Sequence, residues 1–197
     1  MNGIEHWLER PVAEAIDALK SREVAVDVGA NTGTWTKPLS AIFERVYAFE
    51  PDTRASSLIE PADNVAVIGA AVADSARVRT FYLRETHGHN SLLEHHPIGG
   101  EAMGDVPSIA ETNVPCVSLE DFLPDGADFV KIDIEGGELL ALAGCRSSDV
   151  WARTFFVVEC HDTFDGVEAE LKRLGKDVTR VPHPLVAHPG HCWAMGK

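Results

Sequence analysis

Short apolar runs that end on glycine or a polar residue alternate along this chain with amphipathic stretches. Ile4, Leu8, Val12, Ala15, Ile16 and Leu19 recur at helical spacing over Ile4–Lys20, with Pro11 as a break or a second helix start. Residues 1–22 are therefore expected to form a helical cover over a sheet edge. Val24–Val28 reads as a strand running into Gly29, and Thr34–Phe43 as a helix whose apolar face is Trp35, Leu39 and Ile42. Val46–Phe49 is a second strand ending at Glu50, Ser56–Ile59 a helical fragment and Val65–Val72 a third strand.

The rhythm breaks between Ala73 and Phe122. Val78–Leu83 alternates like a half-exposed strand, and Gly88–Pro107 is rich in Gly, His and Pro, so residues 73–122 are read as an insert carrying a substrate loop. Val114–Leu119 follows as a strand, with Ser118 capping a helical turn through Leu123. Asp128–Ile134 and Thr154–Cys160 are the fourth and fifth main strands, with a helix over Glu138–Ala143 between them. Phe164–Leu174 is the last helix, and Asp177–Val181 with Cys192–Met195 reads as a closing hairpin. Without repeats or a dividing linker, residues 1–197 are expected to form one α/β domain around a doubly wound, mostly parallel sheet with helices on both faces.

Composition narrows the function. With 17 basic and 31 acidic residues the net charge is −14, and no basic stripe offers a footprint for nucleic acid. The longest apolar runs fall far short of a membrane span, and Met1–Arg10 lacks the basic start and apolar core of a secretory signal, so a cytoplasmic location is expected. Cys116, Cys145, Cys160 and Cys192 show no CxxC spacing and read as reduced thiols. The histidines, in groups at His87–His96 and His183–His191, lack zinc-ligand spacing on any predicted helix. No heptad or long apolar edge marks an oligomer interface.

In a doubly wound sheet, ligands bind beyond the carboxyl ends of the strands, where strand order reverses. The first strand ends in Asp27-Val28-Gly29-Ala30-Asn31-Thr32-Gly33. The glycines allow close backbone approach, but Asn31 breaks the G-x-G-x-x-G spacing that cradles a pyrophosphate. Together with the absence of a Tyr-x-x-x-Lys pair, this disfavours a nicotinamide oxidoreductase. Asp27 instead suits an amino group or sulfonium, and Glu50 at the end of the second strand suits two ribose hydroxyls, which favours S-adenosylmethionine over the plain reading of a tight βα turn. In the fourth strand, Lys131, Asp133 and Glu135 alternate with Ile132 and Ile134, where a strand buried on both faces should be apolar throughout. A Lys131–Asp133 ion pair with Glu135 capping the next helix is the structural alternative. Glu159 and His161 end the neighbouring strand.

Asp27–Gly33 as DVGANTG, Val46–Asp52 as VYAFEPD, Gly88–Leu92 as GHNSL, Val117–Phe122 as VSLEDF and Phe129–Glu138 as FVKIDIEGGE resemble, in order and spacing, the successive blocks of FkbM-type methyltransferases over about residues 24–145. The resemblance implies a Rossmann-like class I methyltransferase fold with a seven-stranded sheet. It also implies S-adenosylmethionine as cofactor and O-methylation of a small hydroxylated acceptor, a sugar or natural product. It assigns Asp27, Gly29, Asn31, Thr32 and Gly33 to the cofactor turn, Glu50 to the ribose, Ala70 and Ala71 to the adenine, His89 and Asn90 to the substrate loop, and Asp133 and Glu135 to the reacting centre. Gly69 and His89 depart from the family pattern, which has a polar and a smaller residue there.

Methyl transfer to an unactivated hydroxyl needs the proton removed as the bond forms, and Asp133, Glu135 or His161 is the candidate base. A second version places Mg²⁺ on Asp133, Glu135 and Glu159. The alternative from another class is a catalytically silent module that binds the nucleoside and acts through a protein partner.

Overall fold

β-branched and aromatic runs bounded by turn residues give each main strand, and their burial shows which are central. In the computed structural model, which describes residues 10–94, 107–183 and 191–197, Val24–Val28 (β1), Phe129–Ile132 (β7) and Phe155–His161 (β8) are buried almost throughout. They lie at the centre of a seven-stranded sheet completed by Arg45–Phe49 (β2), Val65–Ile68 (β3), Val178–Pro182 (β9) and His191–Gly196 (β10). The order is β3-β2-β1-β7-β8-β10-β9, parallel except at β10, which runs antiparallel to both β8 and β9. The chain progresses outward from β1 to β3 and then returns to the other side of β1 with β7. The reversal point predicted to hold the ligand therefore lies between β1 and β7.

Both sheet faces are covered. On one, Val26, Val28, Val130, Ile132, Phe156 and Val158 share a core with Leu142 of helix α5 (Glu138–Ala143) and with Val167 and Leu171 of helix α7 (Phe164–Arg173). On the other, Ala25, Val46, Phe129, Phe155, Val157 and Trp193 share a core with Val12 and Ile16 of helix α1 (Arg10–Asp17) and with Leu39 of helix α2 (Thr36–Ser40). The first helix thus packs on a sheet face, not on the expected edge.

Three other expectations change. The apolar run Val65–Val72 is two strands: β3 ends at Ile68, and Ala71–Val72 (β4) pairs with Ala110–Val117 (β6). β6 pairs in turn with Arg77–Leu83 (β5), so the segment that broke the βα rhythm builds a separate sheet of order β4-β6-β5. The predicted helical fragment at Ser56–Ile59 forms earlier, at Thr53–Ser56 (α3), because Asp52 caps it by accepting from Arg54 N at 2.9 Å. Ser118 caps Leu119–Phe122 (α4) as expected, whereas Ser148–Trp151 (α6) was not foreseen. Much of the predicted substrate loop, residues 95–106, lies outside the described residues.

Gly29 joins fold and site. Its φ is +79°, and a Cβ there would collide with the Asp133 carbonyl oxygen and meet Ile134 Cγ2 at 2.9 Å. Its close approach is thus to the β7 exit, which must lie against the β1 exit to form the cleft described below. Gly29→Ala is expected to lower unfolding free energy by about 3 kcal/mol, through positive-φ strain and overpacking. Urea unfolding checks this, and a loss under 1 kcal/mol would mean the two exits separate easily.

Candidate active site

Beyond the carboxyl ends of β1, β2 and β7 the chain forms a cleft open to solvent, at the strand-order reversal where ligands of open α/β sheets bind. Phe49, Ala70, Ala71, Val72, Phe81 and Leu92 supply apolar wall. Asn31, Glu50, Asn90, Ser91, Asp133 and Glu135 supply polar groups.

Glu50 is held from both oxygens by backbone. Oε2 accepts from Asn31 N at 2.9 Å and Oε1 from Asp52 N at 2.8 Å. Asn31 reaches this position in the left-handed region, at φ 49°. Burial pushes the Glu50 carboxyl up to about 7, the two N–H donors opposing that rise and the charges of Asp52 and Asp27 adding to it. Each oxygen keeps acceptor capacity beyond its one backbone donor.

A second charged group spans β7 and β8. Lys131 Nζ lies 3.2 Å from Asp133 Oδ2 and 3.5 Å from Asp27 Oδ1. Burial opposes its charge, but Asp133, Asp27 and Glu159 outweigh burial and raise its pKa. Burial likewise opposes the Asp133 charge, yet Lys131 and His161 hold that carboxyl below its usual range. His161 Nδ1 donates to Glu138 Oε1 at 2.8 Å, while Nε2 lies 3.6 Å from Glu135 and 3.9 Å from Asp133. Burial alone would push the imidazole down. The hydrogen bond to Glu138 and the charges of Glu138, Glu135 and Asp133 override it and raise the pKa to about 10.

The family pattern described as the methyltransferase FkbM domain matches residues 27–178, well over half of the chain. The chain belongs to the FkbM methyltransferase family. Among solved structures, an FkbM methyltransferase from Methylobacillus flagellatus KT is similar with a TM-score of 0.60 at 18% identity, over 89% of this chain and 43% of that one. The chain thus spans less than half of that protein's length. Precorrin-6y C5,15-methyltransferase from Geobacter metallireducens GS-15 gives 0.52 at 15% identity, over 98% and 90%. Fibrillarin from Aeropyrum pernix, solved with natively bound S-adenosyl-L-methionine, gives 0.51 at 13%, over 90% and 67%. At these identities the likeness is one of fold, the Rossmann-like fold of class I methyltransferases. No curated protein matches the chain.

The FkbM blocks do not all converge on the cleft. Gly29, Asn31, Glu50, Ala70, Ala71, Asn90, Asp133 and Glu135 lie on its wall. Thr32 and Gly33 instead border a separate open groove beside α2, with Gly33 packed toward Ile59. Asp27 is fully buried beneath the cleft, accepting from Thr36 Oγ1 at 2.6 Å, with its other oxygen facing Lys131. Its carboxylate is committed to the core rather than aimed at a ligand amino group. His89 is absent from the described cleft lining, and its carbonyl accepts from Arg84 Nη1 at 3.1 Å. His161 lies against Glu138, Glu135 and Asp133, whose charges favour its protonated form. Asp133, Glu159 and His161, rather than Asp133, Glu135 and Glu159, bring potential ligand atoms within 4.8 Å of one another. Lys131 already lies against Asp133 in that group.

The Lys131–Asp133 pair expected on structural grounds is present, but Glu135 does not cap α5. It occupies the left-handed region at φ 54°, and Glu138 accepts from Gly136 N at 2.9 Å. Sequence reasoning missed Glu138, which is fully buried and also accepts from Thr163 Oγ1 at 3.0 Å. An acidic residue in a helix's first turn ordinarily signals only dipole complementarity. It also missed Arg84, fully buried directly after β5. Among the described residues no helix is long and apolar enough to cross a membrane.

Proposed function

We propose that this chain is an S-adenosylmethionine-dependent O-methyltransferase acting on a small hydroxylated acceptor, a saccharide or natural product. The observation that carries the cofactor is Glu50, a carboxylate with spare acceptor capacity on the cleft wall where strand order reverses. Glu50 would take the two ribose hydroxyls. Ala70, Ala71, Phe49 and Phe81 line the cleft with the apolar surface a flat adenine would lie against. Gly29 and Asn31 bring backbone to the same cleft, and Asp133 places negative charge on its wall to receive the cationic methionine portion.

When bound, S-adenosylmethionine supplies a methyl group on a sulfonium, open to in-line displacement by an oxygen nucleophile. The chain's own task is to orient that oxygen and remove its proton. Glu135 is assigned as the base. Asp133 lies 3.2 Å from the Lys131 ammonium, which favours its ionised form and makes it a weak proton acceptor, and the charges of Glu138, Glu135 and Asp133 favour the His161 cation. The imidazolium, fixed by Glu138 and facing Glu135 at 3.6 Å, orients that carboxylate. Incubation with methyl-labelled S-adenosylmethionine and a panel of sugars, phenols and alcohols tests the reading. Label in a methyl ether supports it; label on amines only, or on none, overturns the O-methyl assignment.

The raised Glu50 pKa gives a pH signature. Two donating hydroxyls favour the ionised carboxylate, whereas the free protein holds Glu50 half-protonated near pH 7. Affinity for S-adenosylhomocysteine is therefore expected to rise with pH, by about tenfold from pH 6 to pH 8. In the unliganded protein the sign is opposite. The folded state keeps the proton longer than the unfolded chain, so this group's stabilisation is complete below about 4.5 and is lost as pH rises through about 7. Calorimetric titration at three pH values reads the first effect, and a flat profile would remove Glu50 from the ribose.

A further inference from the structure

The segment Arg84–Glu94 touches both sides of the proposed chemistry. Arg84 is fully buried, and its guanidinium donates to the carbonyls of His89, Leu93 and Glu94 at 3.1, 3.0 and 3.1 Å. These bonds tie the loop into one piece. Two side chains then project from it. Asn90 accepts from Arg84 N at 2.7 Å and donates to Asp52 Oδ2 at 2.8 Å. Asp52 in turn donates its own N–H to Glu50. Ser91, 1% exposed, donates from Oγ to the Glu135 carbonyl at 2.9 Å and accepts from Leu93 N at 3.1 Å. That carbonyl belongs to a non-glycine residue in the left-handed region, a conformation the surroundings must hold in place.

Building on the methyltransferase reading, we propose that Asn90 and Ser91 are positioning residues with separate duties: Asn90 sets the Glu50 carboxylate for cofactor binding through Asp52, and Ser91 fixes the Glu135 backbone so that its carboxylate meets the acceptor. Neither residue needs to touch the reacting atoms. The substrate-loop block thereby supports both halves of the site from one rigid segment. A purely structural role would lower affinity and turnover together, in step with stability.

The test uses Asn90→Ala and Ser91→Ala in the full chain. Asn90→Ala is expected to weaken S-adenosylhomocysteine binding about tenfold, with the larger loss in affinity, and to shift the pH midpoint of binding. Ser91→Ala is expected to lower kcat about tenfold with affinity little changed, and to cause no further loss when added to Glu135→Gln. Equal losses of affinity and turnover in each variant, or full additivity of Ser91→Ala with Glu135→Gln, would overturn the proposal. Hydrogen exchange at the Gly136 and Gly137 amides supplies a readout free of cofactor. Their N–H groups bond to Glu138 Oε1 and to the Ile134 carbonyl, on either side of the strained residue. Ser91→Ala should speed their exchange several-fold, and unchanged exchange defeats the Ser91 assignment. A wild-type protein that binds no S-adenosylhomocysteine defeats the methyltransferase reading itself, while the exchange comparison still decides whether Ser91 holds Glu135.

Discussion

Glu50→Ala is expected to weaken binding of S-adenosylmethionine and S-adenosylhomocysteine by at least about a hundredfold, the equivalent of roughly 3 kcal/mol for two hydrogen bonds to a charged acceptor. The substitution removes the oxygens proposed to accept from the ribose and also the partner of two backbone donors, Asn31 N and Asp52 N. Both consequences act at the same wall of the cleft. Relief of the burial penalty on Glu50 offsets part of the stability loss but none of the ligand loss. Unfolding midpoints measured beside the titrations separate the two. A variant that unfolds like the wild type yet binds within threefold of it would show that the nucleoside lies elsewhere.

This prediction rests on a residue that the sequence placed well, and the reason is local. A carboxylate that ends the second strand of a βα alternation must emerge at the carboxyl edge, whatever the rest of the chain does. Asp27 was equally conspicuous but depended on parity. Ala25 belongs to the core that includes α1 and α2, and Val26 and Val28 to the core that includes α5 and α7. Two residues after Ala25, Asp27 follows its face, and strand register sets it opposite Lys131. Thr36 and Lys131 therefore receive it. The alternation was visible in the sequence, but the identity of the face was not, because that requires knowing which helices cover it.

The division of Val65–Val72 fails for a related reason. Nothing in an apolar run says that β3 stays with β2 while Ala71 joins Cys116, a pairing of distant segments. That switch is what brings Ala70 and Ala71 to the cleft, so this part of its wall depends on long-range pairing. Arg84 and Glu138 are the extreme case. Each is an ordinary charged residue in sequence and is fully buried in the fold, its meaning given by carbonyls or an imidazole brought in from elsewhere.

The same distinction governs the chemistry at the end of β7. In sequence, Asp133, Glu135 and His161 are three equivalent candidates for the base; their surroundings make them unequal. Lys131, 3.2 Å away, stabilises the Asp133 anion and Glu138 stabilises the His161 cation, which is why the proposed mechanism gives the acceptor proton to Glu135. Glu135→Gln keeps the side chain's size and the backbone's left-handed conformation while removing the basic oxygen. It is expected to lower kcat by about 10²–10⁴-fold, the usual contribution of a general base, with S-adenosylhomocysteine affinity changed only a few-fold. Asp133→Asn is expected to cost less in kcat, because its carboxylate holds charge rather than accepting the proton. Single-turnover rates at saturating cofactor check both. The reverse ranking, with Asp133→Asn the more damaging and Glu135→Gln near wild type, would move the base to Asp133. It would also mean that the Lys131 ammonium, 3.2 Å away, releases that carboxylate when the acceptor binds.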